Sequence, residues 1–248
     1  MTQKLRIAVI TPYYKEPLEF LIQCHQSVIG QVVDADVDHF LVADGFPQEE
    51  LKKCDIKHII LPIAHADFGN TPRGIGSILA AAEGYDFITY LDADNWFHAD
   101  HLASLFDLWK STNADVCCSF TTIHQLDGTE IIDLQSSEEK ALTHVDTSCY
   151  FLSKKAFKTF NIWLDMPRQL TDIGDRVFFS GLKHFNYSVA FSKRKTVAYR
   201  SQYKVHYLAA KLIPPEGAKE NVGKESYKWL LTVDGVKETV KKIGFFPL

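Results

Sequence analysis

Asp92 and Asp94 stand two residues apart, directly after the run Phe87-Ile88-Thr89-Tyr90-Leu91. In extended backbone, residues i and i+2 point to the same side, so the two carboxylates can converge. Two hard oxygen donors that close repel each other unless a cation lies between or beside them. Mg²⁺ or Mn²⁺, shared with substrate phosphates, suits such a pair. The carboxyl end of a buried parallel strand is also where open α/β sheets bind ligands. A solvated turn is the competing reading of any Asp-x-Asp, and the buried strand before this one counts against it.

The elements that must carry these carboxylates are legible from apolar runs and their punctuation. Arg6-Ile7-Ala8-Val9-Ile10 is a β-branched run ending at Thr11-Pro12, apolar at nearly every position, as a strand covered on both faces is. Pro17 opens a helical pattern through Leu18, Leu21, Ile22 and Val28, with Gly30 as its stop. His39–Ala43 and Ile56–Leu61 read as strands, and Asn70-Thr71-Pro72 as a cap with proline just inside a helix from Arg73 to Glu83. After the Phe87–Leu91 strand, Asp100 can cap a helix from His101 to Lys110, before a strand over Val116–Thr122. This alternation predicts an α/β fold with an open, mostly parallel sheet flanked by helices. The second half is less regular: a hairpin turn at Leu126–Thr129, a strand over Ser148–Ser153, a helix-to-strand passage from Gly181 to Ala190, the basic stretch Lys193-Arg194-Lys195, and amphipathic helices beyond Arg200.

Several chemistries are excluded. Gly74-Ile75-Gly76-Ser77-Ile78-Leu79 begins like a dinucleotide fingerprint, but Leu79 takes the third glycine's place and the segment does not follow the first strand. No phosphate-binding Walker loop, G-x-S-x-G elbow or H-E-x-x-H appears. The 248 residues carry 27 Lys plus Arg against 31 Asp plus Glu, a net charge of −4 that gives no basic face for nucleic acid. Five cysteines without a C-x-x-C pair suit a reducing compartment. No cleavable apolar leader and no apolar run near ~20 residues is present, so the sequence predicts a cytoplasmic protein.

Four segments in order, Thr11-Pro12-Tyr13-Tyr14, Val42-Ala43-Asp44-Gly45, Asn70 to Gly76 and Leu91-Asp92-Ala93-Asp94-Asn95, resemble the landmarks of family 2 glycosyltransferases with the GT-A fold. The resemblance implies a nucleotide-diphospho-sugar transferase-like sheet in a catalytic domain over 1–200, with a nucleotide-binding half 1–110, an acceptor-binding half 111–200, and a C-terminal helical extension 201–248. It also implies transfer of a sugar from a nucleoside-diphosphate donor, a UDP-sugar first of all, to a hydroxyl, with inversion and a divalent metal, Mn²⁺ or Mg²⁺.

Carried over residue by residue, Thr11, Pro12, Tyr14 and Glu16 match the positions that hold the nucleotide base, although Lys15 stands where the family usually has asparagine. Tyr14 can stack on a uracil-like ring. Asp44 matches the aspartate that accepts a hydrogen bond from the base, or else forms a turn with Gly45. Arg73 matches an arginine that contacts the nucleotide. Asp92 and Ala93 would face the ribose, or Asp92 the metal's water shell, with Asp94 as direct ligand and His206 as a third. Trp96 would border the donor sugar or the acceptor. Thr171-Asp172-Ile173-Gly174-Asp175-Arg176 resembles the family's acidic motif. Counting back from Asn186-Tyr187, which matches the usual Gly-Tyr ending, places Asp175 on the catalytic base, with Asp172 as the alternative because Gly174 replaces the expected glutamate.

The partners so implied are a nucleotide-sugar donor and a glycan or lipid-linked acceptor. The stretch Lys193–Lys195 with Arg200 and Lys204 is open to acceptor phosphates or to solvent. Trp229-Leu230-Leu231 and Phe245-Phe246 are open to packing on the domain, on another subunit, or at the inner face of a membrane. Two other functions fit the same sheet: a sugar nucleotidyltransferase, for which the Gly-rich basic loop after strand one is missing, and a non-catalytic nucleotide- or glycan-binding module.

Overall fold

The computed structural model describes residues 4–132, 134, 136–220 and 223–247. In chain order they form β1 (Arg6–Tyr13), α1 (Leu18–Ile29), β2 (Asp36–Ala43), β3 (Lys57–Ile60), α2 (Asn70–Ala82), β4 (Phe87–Tyr90), β5 (Trp96–Phe97), α3 (His101–Thr112), β6 (Val116–His124), α4 (Ser137–Ala141), β7 (Tyr150–Ser153), α5 (Phe160–Asp165), α6 (Gly174–His184), β8 (Val189–Arg200), α7 (Lys204–Ala209), α8 (Lys224–Leu230) and α9 (Val233–Ile243). The strands make one sheet in the order β3-β2-β1-β4-β7-β6-β8-β5.

The first half is parallel: β1 pairs with β2 on one side and β4 on the other, and β2 with β3. Because the chain moves outward from β1 in both directions, a crevice opens at the carboxyl ends of β1 and β4. Asp92 and Asp94 follow β4 into it. Both strands are buried along almost their whole length, which is why they read as continuous apolar runs. The other half is mixed, with β7 antiparallel to β4 and β6, β8 parallel to β6, and the two-residue β5 antiparallel to β8.

Helix packing gives the rejected fingerprint glycines a structural role. A Cβ on Gly76 would lie 2.7 Å from Ile10 Cγ2 and one on Gly74 2.6 Å from Leu164 Cδ2, so α2 sits closer to β1 and α5 than any side chain would allow. Three local expectations shift. Asn70 does not cap α2; Gly69, at φ 77°, precedes the helix, and the Asn70 side chain turns inward. Asp100 makes no cap bond and pairs with Arg194 instead. The basic stretch lies inside β8, and its charges are dispersed: Lys195 donates to the Leu134 carbonyl, while Lys204 pairs with Glu220.

The C-terminal helices belong to the body of the molecule. Leu230, Ile243 and Phe245 are buried in the main core cluster, with Trp229 and Phe246 packed against it. Of the three placements open to these residues, packing on the domain is the one observed, while Leu231 stays 67% exposed. Among the described residues no helix is long and apolar enough to cross a membrane.

Candidate active site

A cleft of about 1110 Å³ follows the strand ends from the loop after β1 to the start of α6. Pro12, Tyr14, Glu16, Asp44, Arg73, Asp92, Ala93 and Asp94 line one end of it and Asp172 and Asp175 the other, and His206 is also in the lining. At the first end, Tyr14 meets Phe46 edge to face with centroids 4.9 Å apart, and Glu16 accepts the Tyr14 N–H at 2.6 Å, folding the loop back on itself. Asp44 makes no local turn with Gly45. Both its oxygens accept backbone N–H groups 2.8 Å away, from His65 and Ala66, so it clamps a distant loop against β2. A carboxylate has about four acceptor sites, which leaves room for a ligand N–H as well.

Arg73 is 3% exposed, a wall of the site rather than a surface residue. Its Nη2 donates to Asp92 Oδ1 at 2.7 Å, its Nη1 to Asn70 Oδ1 at 3.2 Å, and its guanidinium lies 4.8 Å from the Trp163 ring centre. Asp92 is thereby fixed by a charge-assisted bond. Asp94 is held at its backbone, where Arg200 Nε donates to the carbonyl at 3.0 Å and Asn95 Oδ1 accepts the Arg200 N–H at 2.9 Å, and at its carboxylate, where Gln202 Nε2 donates to Oδ2 at 3.3 Å. Enclosure first, then the carboxylates of Asp92 and Glu16, push the Asp94 carboxyl up to about 7, and Arg200 offsets only part of this. Such uncompensated negative charge is what a divalent cation relieves. Among the described residues no three His, Cys, Asp or Glu side chains are grouped closely enough to hold an ion by themselves. His206 lines the cleft with Nδ1 engaged by the Ser201 hydroxyl at 2.7 Å, leaving Nε2 as its ligand atom.

At the other end, Asp175 lies in the first turn of α6. Its Oδ1 accepts the Arg176 N–H at 2.8 Å, and its Oδ2 lies 2.9 Å from His144 Nε2, a close charge contact without good hydrogen-bond alignment. Burial is the largest single influence and would raise the Asp175 carboxyl, but His144 and Arg176 together outweigh it and hold the group at about 2. The contacts with Asp175 and Glu138 together hold His144 at about 9 against its own burial. Asp172 is committed elsewhere: Oδ2 accepts the Gly223 N–H at 3.1 Å and Oδ1 the Ser226 hydroxyl, tying this loop to α8. The missing glutamate also has a steric reason. A Cβ on Gly174 would fall 2.8 Å from Asn70 Oδ1, so the space is filled by the buried asparagine that braces Arg73. Asn186, at φ 58°, adopts the left-handed conformation for which glycine is usual, which accounts for Asn-Tyr in place of Gly-Tyr.

Two expected residues stand away from the cleft. The Thr11 hydroxyl is fully buried, 2.9 Å from His39 Nε2 and 3.7 Å from Cys24 Sγ. Trp96 is not in the lining; it packs against His124 and behind the Arg200 guanidinium, 4.9 Å away. The cleft also holds residues that the sequence did not single out: Glu138, His144, Asp146, Arg176, Gln202 and Tyr203. Enclosure and the Asp92 charge push Asp146 up to about 7. His144 and Asp146 share the i, i+2 spacing of the Asp92–Asp94 pair, and that was the available signal; without an apolar strand before it, the spacing stood in an unpatterned stretch.

The profile of glycosyl transferase family 2 matches residues 8–164, well over half of the chain. No curated protein matches it. Among solved structures, S. aureus TarS 1–349 in complex with UDP is 14% identical with a TM-score of 0.62, over 83% of this chain and 63% of that one. The same fragment in complex with UDP-GlcNAc is 13% identical with a TM-score of 0.59, over 96% and 73%. S. aureus TarS is 12% identical with a TM-score of 0.60, over 82% of this chain and 38% of that one. This chain therefore spans less than two thirds of the UDP-bound fragment, and at these identities the likeness establishes the GT-A fold alone. On the profile match, the chain belongs to glycosyl transferase family 2.

Proposed function

We propose that the protein transfers a sugar from a UDP-sugar to a hydroxyl of a glycan or lipid-linked glycan, inverting the anomeric carbon. The observation that carries this reading is that Asp92, Asp94 and Asp175 line one cleft at the strand ends. The TarS structures in complex with UDP and UDP-GlcNAc support UDP as the nucleotide. On this reading Tyr14 borders the base, Asp44 accepts its N–H, and Arg73 holds Asp92 in register. Asp94, with Asp92 and the donor's phosphates, would hold Mn²⁺ or Mg²⁺, and His206 Nε2 is a further donor within the cleft. That ion, when bound, supplies Lewis-acid stabilisation of the charge growing on the departing diphosphate. Asp175 accepts the acceptor's hydroxyl proton as that oxygen attacks opposite the leaving group. Asp175 is favoured over Asp172 because the latter's oxygens are taken by Gly223 and Ser226. A lipid-linked acceptor would bring the chain to a membrane surface as a peripheral protein.

Calorimetric titration with UDP tests the donor site. Affinity is expected with Mn²⁺, and a loss of at least tenfold in EDTA and in Asp94→Ala. Equal affinity under all three conditions would remove the metal from the reading.

A further inference from the structure

Asp175 reaches its position without the neighbouring acid of the family motif, and His144 occupies the space beside it. His144 is 8% exposed and stands between two carboxylates from different helices. Nε2 lies 2.9 Å from Asp175 Oδ2 on α6, and Nδ1 lies 3.3 Å from Glu138 Oε2 on α4. Glu138 is held in turn by Arg176 Nη2 at 2.7 Å. We infer that His144 is a positioning residue for the proposed base: anchored by Glu138, it fixes the Asp175 carboxylate at the cleft and keeps it ionised.

Only an imidazolium presents one N–H at each end of a small rigid ring, so it can face two carboxylates at once. The charged groups around it have a clear balance. Glu138 and Glu139 face it from α4, Asp175 and Arg176 from α6, and Asp146 lies two residues along its own loop. Two firm anions, Asp175 and Glu138, therefore face one firm cation, Arg176, and a protonated ring completes the neutral set. A base must be unprotonated when the acceptor arrives, and a fixed cation beside it secures that.

This inference depends on Asp175 being the base, so its test combines a readout of the pair with a readout of turnover. The His144 imidazole is followed by NMR across pH in the wild type and in Asp175→Asn, with His144→Gln used to assign the signal. The ring should stay protonated to about pH 9 in the wild type. In Asp175→Asn its midpoint should fall by at least about two pH units, since burial then opposes the charge with one anion fewer. A wild-type ring that titrates below 6.5, the ordinary histidine value, overturns the pairing. UDP release from UDP-GlcNAc with Mn²⁺, water taking the acceptor's place, is then compared in His144→Ala and His144→Gln. His144→Ala should lose at least ~30-fold in kcat with donor KM and UDP affinity within threefold, and His144→Gln, which fills the same space with a polar amide, should recover part of it. A kcat in His144→Ala within twofold of wild type overturns the positioning role. Full turnover in Asp175→Ala, with UDP binding intact, removes the base itself and the positioning role with it.

Discussion

Replacing Gly174 with alanine should destabilise the protein, although the position is helical with φ −57° and alanine is the better helix former. The new Cβ would meet Asn70 Oδ1 at 2.8 Å and Nδ2 at 3.0 Å. Asn70 cannot retreat freely, because it donates to the Thr171 carbonyl at 3.2 Å and accepts from Arg73 Nη1 at 3.2 Å. Overpacking of this kind costs about 1–3 kcal/mol. Weakening the two hydrogen bonds adds roughly 1–2 kcal/mol, the one to the guanidinium being the stronger. Helix propensity returns about 1 kcal/mol. The net loss is about 1–4 kcal/mol, or roughly 2–16 °C in Tm for a chain of this size. Urea unfolding of Gly174→Ala, Asn70→Ala and the double variant measures it. Without the asparagine amide the added methyl group has room, so Gly174→Ala should be neutral or stabilising in the Asn70→Ala background, giving a coupling of about 2 kcal/mol or more. A coupling below ~0.5 kcal/mol refutes the steric account. Gly174→Glu should lose more than Gly174→Ala, so supplying the family's acid does not improve this molecule.

Two further outcomes are expected. Asp175, lowered to about 2 from an ordinary 3.8, stabilises the fold above 3.8 and loses that contribution as pH falls through 2; His144, raised to about 9 from 6.5, stabilises it below 6.5 and loses that as pH rises through 9. The stability deficit of Asp175→Asn in thermal melts should therefore be largest between pH 3.8 and 6.5, about 2 kcal/mol, and should shrink by pH 10; a deficit independent of pH counts against the ion pair. Arg200→Ala should cost about 3 kcal/mol or more in urea unfolding, because the guanidinium satisfies the carbonyls of Asp94 and Leu126 and stacks 4.2 Å from the Phe20 ring; a loss under ~1 kcal/mol would show that water replaces it.

The strand-end part of the cleft was legible because its residues sit at the ends of buried parallel strands, where apolar runs stop abruptly at polar ones. The spacing of Asp92 and Asp94 after β4 is the clearest case. What the runs could not reveal is side-chain direction: Thr11 ends its run as convincingly as Asp92 does, yet its hydroxyl faces His39 in the core. Trp96 was misplaced for a related reason, since β5 has two residues and no periodicity to orient them. The irregular β8, with Lys193 at φ 56°, takes up the basic stretch, for which the sequence carried no periodicity to mark a strand. His144 meets Asp175, and Glu138 meets Arg176, only through tertiary packing across 31 and 38 residues. Such pairs leave no local pattern.

The bonds from Asp172 to Gly223 and Ser226 impose an order on synthesis. A chain emerging from the ribosome has Asp44, Arg73, Asp92 and Asp94 out long before α6 and α8 follow. The loop that presents Asp175 gains its Asp172 bonds only when α8 follows, about fifty residues later. The part of the cleft at the ends of β1 and β4 is therefore made well before the helix that ties down the Asp172 loop.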